Sequence, residues 1–518
     1  MLRLLFVLLL YFFIPFHGVA QQWLGISSSN YAGTNAVYLN PANVADSRYR
    51  IFINLGSNDI FVHNNYVQWN APFSMLGYLT NSVGRQYRSA DNKILFKDEY
   101  LIADTDNTVK KLHAIDDFRG PSIQFDLNDK QSIALLTRMR TGINLTNIDA
   151  GFANFIRLGI KNDEVLNKVE TVNNAAFNIN SYAEFGFTFG QVLLDGDEDF
   201  IKMGITAKRL IGLYSAHALI DEMKYEIVDD PTPTLVNEKI LRIDNLTADI
   251  GYTKDASFKN IAPSPGWVLG DLAAGNGWGF DIGFVYEFRP DTRRISYRDE
   301  GVVKLDPTKN KYQYRLSIAL LDIGSLKYAN PDFVKSWISR TNNKLIGSAD
   351  FRDTENIDDS FRRINNTLTI RDAQALNSFR SSLPSSLNVN LDYLYKKNIY
   401  INATWTQSLT SEYSIGMKMP SLIAVTPRWE TKWFEVALPL ALVRNYSVFT
   451  FGLSGRVGPV FIGSDNLAGL LNIGKSRGLD LYFGATIPIF QKPPYSLNAC
   501  FYEKGERKSL KERLMFWK

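Results

Sequence analysis

Side chains able to cut, transfer or hold a metal are scarce in this chain and stand apart from one another. Beyond His17 in the apolar leader, only His63, His113 and His217 are present, with no His-x-x-x-His spacing, and Cys500 is the single cysteine. A zinc site or a Ser-His-Asp triad needs several such groups brought together. No Gly-x-Ser-x-Gly elbow, phosphate loop or dinucleotide fingerprint stands in a strand-to-helix context. Asp195-Gly196-Asp197-Glu198-Asp199 gathers carboxylates without the longer spacing of a calcium loop, and Asp104-Thr105-Asp106-Asn107 is a fragment of one. Both read as solvated turns. The sequence therefore predicts no enzyme, no metal and no cofactor.

What the charged residues do instead is alternate with apolar ones. Glu184, Asp249, Asp281, Glu287, Asp392 and Asp480 fall on the polar side of period-two segments, with Lys202, Lys208 and Arg315 as partners. Two readings stay open for such a face: ion pairs that hold a plug or narrow a bore, or a polar conduit whose charges tune selectivity.

The elements that must position them are long strands. From Trp278 to Phe288, Trp278, Phe280, Ile282, Phe284, Tyr286 and Phe288 oppose Gly279, Asp281, Gly283 and Glu287; Ile179 to Phe189, Leu387 to Tyr395 and Leu479 to Ile489 split in the same way. Eleven residues at ~3.3 Å each cover about 36 Å, which at ~40° tilt crosses a ~25 Å apolar band. Phe280, Ile282, Phe284, Phe185 and Phe187 are thus expected to face lipid. Aromatics make up 13% of the chain, which suits the two interfacial girdles of a membrane barrel. Past residue 20 the longest clean apolar run, Val436 to Val443, is far too short for a spanning helix. A formal net charge of only +4 gives no reason to expect nucleic acid.

Met1 to Ala20 reads as a secretory signal: Arg3, an apolar stretch from Leu4 to Pro15, then Gly18-Val19-Ala20. Hairpins are signalled by Asn128-Asp129-Lys130 and Lys396-Lys397-Asn398 between alternating runs, and counting such runs from Tyr49 to Phe490 gives roughly 14 strands. Leu479 to Phe490 is expected to be the last, pairing with the first near Tyr49 to Ser57. Ala150 to Asn174, Asn330 to Lys344 and Asp358 to Ser381 have helical spacing, and Ser464 to Asn472 reads as a short helix with Ser464 as N-cap. Asp229 to Pro233 and Ala262 to Gly266 are loop signals.

The mature opening reads Trp23-Leu24-Gly25-Ile26-Ser27-Ser28-Ser29-Asn30-Tyr31-Ala32-Gly33, then Tyr38-Leu39-Asn40-Pro41-Ala42. Its Asn-Pro-Ala after a small-residue stretch resembles the segment before the first strand of long-chain fatty-acid transporter barrels and of the related accessory barrel of the type IX secretion system. The whole opening, with Gly279 to Pro290, Ala319 to Tyr328 and Ser464 to Ile489, resembles an uncharacterised family of Bacteroidetes outer-membrane proteins. Some of its members carry a C-terminal OmpA-like domain, for which this chain has no room after residue 490. The resemblance implies a fourteen-stranded barrel with Asn40, Pro41 and Ala42 in an N-terminal plug.

The expectation is an all-β protein, an antiparallel transmembrane β-barrel of about 14 strands with a few short helices in its loops. Residues 1–20 would be the signal, 21–48 the plug, 49–490 the barrel and 491–518 a periplasmic tail. Its place would be the outer membrane, in contact with lipid. Its work would be to transport or bind a small hydrophobic ligand, with Asn40, Pro41, Ala42, Glu184, Asp281, Glu287, Arg315, Asp392 and Asp480 along the lumen, or to serve an envelope or secretion protein as an interaction barrel.

Overall fold

Fourteen strands run up and down in sequence order and close on themselves. The structure, a computed structural model, describes residues 23–492 except 105, 160–165, 197, 230–238, 255–256, 258–265, 267–272, 291, 300–301, 348–358, 360–361, 364–365, 367, 369–375 and 475. The expected signal, the tail from residue 493, and most of the segments from 229 to 233, 262 to 266 and 358 to 381 lie outside the described residues.

The strands are β1 (Tyr49–Asn64), β2 (Lys110–Arg119 continued by Ser122–Asn128), β3 (Gln131–Ile148), β4 (Val169–Asp195) and β5 (Asp199–Asp229). Then come β6 (Lys239–Thr253 and Gly275–Phe288), β7 (Tyr314–Tyr328 and Val334–Gly347), β8 (Phe379–Ser382 and Ser386–Lys396), β9 (Ile399–Ser408) and β10 (Leu422–Glu430). The circuit ends with β11 (Phe434–Ala437 and Leu440–Val443), β12 (Val448–Phe451 and Leu453–Val457), β13 (Val460–Ser464) and β14 (Gly478–Phe490). All ladders between them are antiparallel, and β14 pairs with β1 from Tyr49 opposite Phe490 to His63 opposite Gly478. Closure pairs the first strand with the last, so neither is left as a free edge. Pro488 lies past the β13 ladder, which stops at Ala485, so its missing N–H leaves no gap there.

Period two sets the faces. Phe187, Phe280, Phe284 and Ile318 stand outward and exposed, as do Leu391 and Ile423, and this belt needs lipid rather than water around it. Ile282 and Phe185 share the outward face but are half-covered by neighbours. β4 and β5 are 27 and 31 residues long. Thirty-one residues at ~3.3 Å and ~40° tilt rise about 80 Å, well beyond the ~25 Å belt. Their upper halves, with Lys239–Thr253 and Val334–Gly347, form a wall outside the membrane.

Several expected helices are corrected. Helix α3 covers only Ala150–Leu158, capped by Asp149, and the chain is strand again from Val169. Val334–Gly347 is a strand, laddered to Lys239–Thr253, because cross-strand pairing outweighs local spacing. The short helix after β13 spans Leu467–Leu471 with Asn466, not Ser464, accepting the capping bond from Gly469 N. Two further short helices precede α3: α1 (Thr34–Val37) inside the barrel and α2 (Met75–Leu79) in the loop after β1.

Candidate functional site

Residues 23–48 fill the lumen. Gly33 turns the chain at φ 56°, and a Cβ there would come within 2.4 Å of the Phe52 ring, so the turn requires glycine. After α1, Asn40 caps a 3-10 turn, Pro41–Val44: its Oδ1 accepts from Ala42 N at 2.9 Å, and its Nδ2 donates to Phe284 O and Ile318 O of the wall at 3.1 Å each. Pro41 stands at the first position of the turn, where no N–H is needed.

The wall makes room for this turn with a row of small residues. Gly190 of β4, Gly204 of β5, Gly283 of β6 and Ala319 of β7 are register partners in succession. A Cβ on Gly190 would meet Val44 Cγ1 at 2.4 Å, one on Gly204 would meet Pro41 C at 2.3 Å, and one on Gly283 would meet Asn40 Oδ1 at 2.2 Å. The Asn-Pro-Ala segment is therefore seated against backbone in the lumen.

Around the plug, buried charges meet in clusters. Arg140 binds Asp322 at 2.7 Å and Glu184 at 2.9 Å, while Lys208 binds Asp281 at 2.7 Å and Asp322 at 2.5 Å. Asp117 holds Arg119 at 2.9 Å and Arg138, and Arg119 lies 3.6 Å over the Trp23 ring. Arg428 binds Asp392 at 2.7 Å and Glu430 at 2.9 Å; Tyr312 donates to Asp392 at 2.6 Å, Arg315 lies 3.6 Å from it, and Asn30 of the plug donates to Glu430 at 2.6 Å. Ser29 donates to Glu435, which also binds Arg456 at 3.0 Å.

At the end of the barrel where the plug runs into β1, Arg289 joins Glu287 to Asp46 of the plug, Lys311 pairs with Asp46, and Lys202 donates to Ala45 O at 2.7 Å. Burial alone would raise the Asp46 carboxyl, but Lys311, Arg289 and Lys202 together hold it well below the usual carboxylate range. Desolvated charges of this kind persist only because each has a partner.

Of the expected lumen residues, Asn40, Pro41 and Ala42 sit in the plug, and Glu184 and Asp281 meet in one cluster. Glu287 belongs to the cluster around Asp46, and Asp392 and Arg315 to a third. Asp480 is buried high on β14 beside Asp465, whose amide donates to it at 2.5 Å. Asp249 keeps the inward parity expected of it but stands on the inner face of the wall above the membrane, beside His217 at 3.3 Å, and is well exposed. The reading of the sequence missed Asp117, Arg140, Asp322, Arg428 and Arg456, although parity alone marks some of them. Thr426, Arg428 and Glu430 occupy the inward positions between Val425, Pro427 and Trp429.

Two well-formed cavities between plug and wall are small. One cavity of about 50 Å³ borders Ser28, Asp46, Arg315 and Asp392, and another of about 40 Å³ borders Tyr38, Arg138, Arg140 and Asp322. Pockets for small ligands run to roughly 300–1,000 Å³ and are mostly apolar. Among the described residues no group of three or more His, Cys, Asp or Glu could hold a metal.

Residues 41–465 match the family described as "Family of unknown function (DUF5723)". No curated protein matches the chain. Solved structures similar to it include a Pseudomonas aeruginosa FadL homologue, at 10% identity over 92% of this chain and 99% of that one, with a TM-score of 0.38. The Ralstonia pickettii toluene transporter TbuX is 9% identical over 89% and 94%, TM-score 0.37. The translocator domain of the Neisseria meningitidis autotransporter NalP is 7% identical over 90% and 99%, TM-score 0.30. The fold itself rests on the chain's own ladder registers.

Proposed function

Since the chain belongs to the family of unknown function DUF5723, we propose from its own geometry that it is an interaction barrel, held shut by its plug, that serves another envelope or surface protein. The coarser statement needs no proposal: a closed antiparallel barrel with an apolar outer belt is an outer-membrane protein. The observation that carries the proposal is the filled lumen. Plug and wall are joined through Asp46, Ser29, Asn30 and Asn40, and the cavities beside them hold about 50 and 40 Å³. An apolar ligand on that path would have to pass Arg140, Lys208, Asp322 and Arg428, whose charges it cannot satisfy. The wall above the membrane supplies surface for a partner.

Two measurements test this together. Purified barrel in planar bilayers should give no steady conductance, and mild-detergent purification from envelopes should bring a large partner with it. The other expectation, transport or binding of a small hydrophobic ligand, predicts the opposite pair. A lone barrel that carries a lipid or an aromatic compound into liposomes overturns the proposal.

A further inference from the structure

At the end of the barrel from which the wall rises, the loop between β9 and β10 folds inward and lies on β3 and β4. Gly416 N donates to Asn178 Oδ1 at 3.0 Å, Lys418 N donates to Asn144 Oδ1 at 2.8 Å, and Asn144 Nδ2 donates back to Lys418 O at 3.2 Å. The same Asn144 amide lies 3.0 Å from Nδ1 of His113, which is the register partner of His63 on β1. Both rings are buried, and His63 Nδ1 has no hydrogen-bond partner. This mouth lies past the start of the plug: Trp23 stacks on Tyr482, the register partner of Asp59, which precedes His63 on β1.

Cations collect around these rings in excess. Lys111 pairs with Glu412 at 2.6 Å, and Arg477 pairs with Asp104. Lys418 and Arg444 form no ion pair among the described residues: the Lys418 ammonium reaches the Ser414 hydroxyl, and Arg444 donates to Asn64 O at 3.4 Å and to Ser447 Oγ at 3.1 Å. Arg477 donates to the next carbonyl, Asn65 O, at 3.4 Å, so the two guanidiniums meet at the end of β1. Burial and the Arg477 charge push the Arg444 guanidinium below its ordinary value, and burial pushes the Lys418 ammonium down to about 8. Arg444 also opens a strained turn, in which Arg444, Asn445 and Tyr446 have φ of 52°, 52° and 66°. Asn445 fixes that turn by exchanging bonds with Ser421 and donating to Glu412 at 3.0 Å. Two unbalanced cations, held beside a buried imidazole nitrogen that has no partner, call for an anion.

We propose that this mouth binds an oxyanion of the phosphate class, with Arg444 and Lys418 supplying the charge and His63 and His113 the floor. Two unpaired positive charges match a phosphate group, which carries between one and two negative charges at neutral pH, and guanidinium is the group that best fits its oxygens. The rings lie too deep for a bulky ligand, so the part recognised is the oxyanion itself, as a free ion or as the head of an outer-leaflet lipid.

The test uses the full chain purified from membranes in a non-ionic detergent, with the ring nitrogens of histidine labelled for magnetic resonance. Past residue 20 the chain has only His63, His113 and His217. His217 lies three strands from His113 in one row, through Asn144 and Asn178, and serves as the internal reference. Inorganic phosphate at neutral pH should move the His63 and His113 signals along one saturable curve and leave His217 nearly still, while chloride at equal ionic strength moves none. Arg444→Gln and Lys418→Gln should each weaken the phosphate affinity about tenfold or more, because each removes a charged donor. Lipid A vesicles, added in place of phosphate, separate the two sources: signals that move with the lipid alone assign a headgroup, and signals that move with the free ion assign a solute. Rings that respond to neither probe, a shift shared equally by His217, or an affinity unchanged in both variants overturns the proposal. The titration of the unaltered chain decides the matter even where a variant fails to assemble.

Discussion

Phe280 and Ile250 lie on the same strand and point to the same side of the sheet, yet one is 48% exposed and the other 7%. At the level of Phe280 the outer face has nothing of the chain over it, and the inner face is packed with paired charges. At the level of Ile250 the arrangement is reversed. The outer face is a core shared by Tyr214, Met223, Leu246, Tyr252 and Trp337 with Phe152 of α3, and the inner face carries polar groups such as Asp249 toward water. One apolar stripe thus meets lipid below and folded protein above. What a residue's face means is set by what surrounds the strand at that height.

The largest effect expected from this contrast belongs to the inner face at membrane height. Arg140→Ala should cost about 3–5 kcal/mol, because Glu184 stays buried without its cation and Asp322 keeps only Lys208. Denaturant unfolding of the barrel in lipid reads this as a lowered midpoint. A loss below about 1 kcal/mol would place the network in water and break the comparison.

Next comes the outer face. Phe284→Arg should cost ~2–4 kcal/mol in a bilayer, as expected for a cation near mid-membrane. Ile250→Arg should leave the barrel's own transition in place while exposing α3 to protease, since its damage is confined to the wall. A barrel that tolerates Phe284→Arg but is lost with Ile250→Arg would reverse the assignment of the two levels.

A single methylene separates lipid from core more finely. Ile250→Val should cost about 1 kcal/mol because packed neighbours leave a void. Ile318→Val, on the belt, should cost clearly less, since fluid lipid fills the space. Equal losses in the two unfolding curves would mean that the belt residue is packed against protein.

The belt was legible in the sequence because lipid on one side and buried charge on the other enforce strict period two, as in Trp278 to Phe288. The closing ladder of Tyr49 and Phe490 was legible for the same reason. The wall was not. Val334–Gly347 carries Lys335, Arg340, Asn342, Asn343 and Lys344, and Asn343 is at φ 52° where the ladder skips a residue, so alternation breaks and helical spacing emerges by accident. In the lumen, acids on strands were found by parity, whereas Asp322, at φ 57° on a shifted stretch of β7, gave no parity signal. The seat of the plug was visible only as glycines in three separate segments, Gly190, Gly204 and Gly283, whose shared level is a property of register.

The smallest effect is expected on the inner face of the wall, and it sharpens the contrast with Arg140. Lys224 and Asp244 form a pair at 3.1 Å, with side chains 47% and 34% exposed. Water solvates both ions before and after the pair breaks, and ordering the long lysine chain offsets most of the attraction, so Lys224→Ala should change stability by no more than ~0.2–1 kcal/mol. The effect should shrink further in 1 M salt, where screening acts over about 3 Å. The Arg140→Ala loss should hardly respond to the same salt, because its partners are shielded by plug and wall. Unfolding curves of both variants at low and high salt provide the check. A salt-insensitive loss of several kcal/mol at Lys224 would mean that the inner face of the wall is as dry as the lumen beneath it.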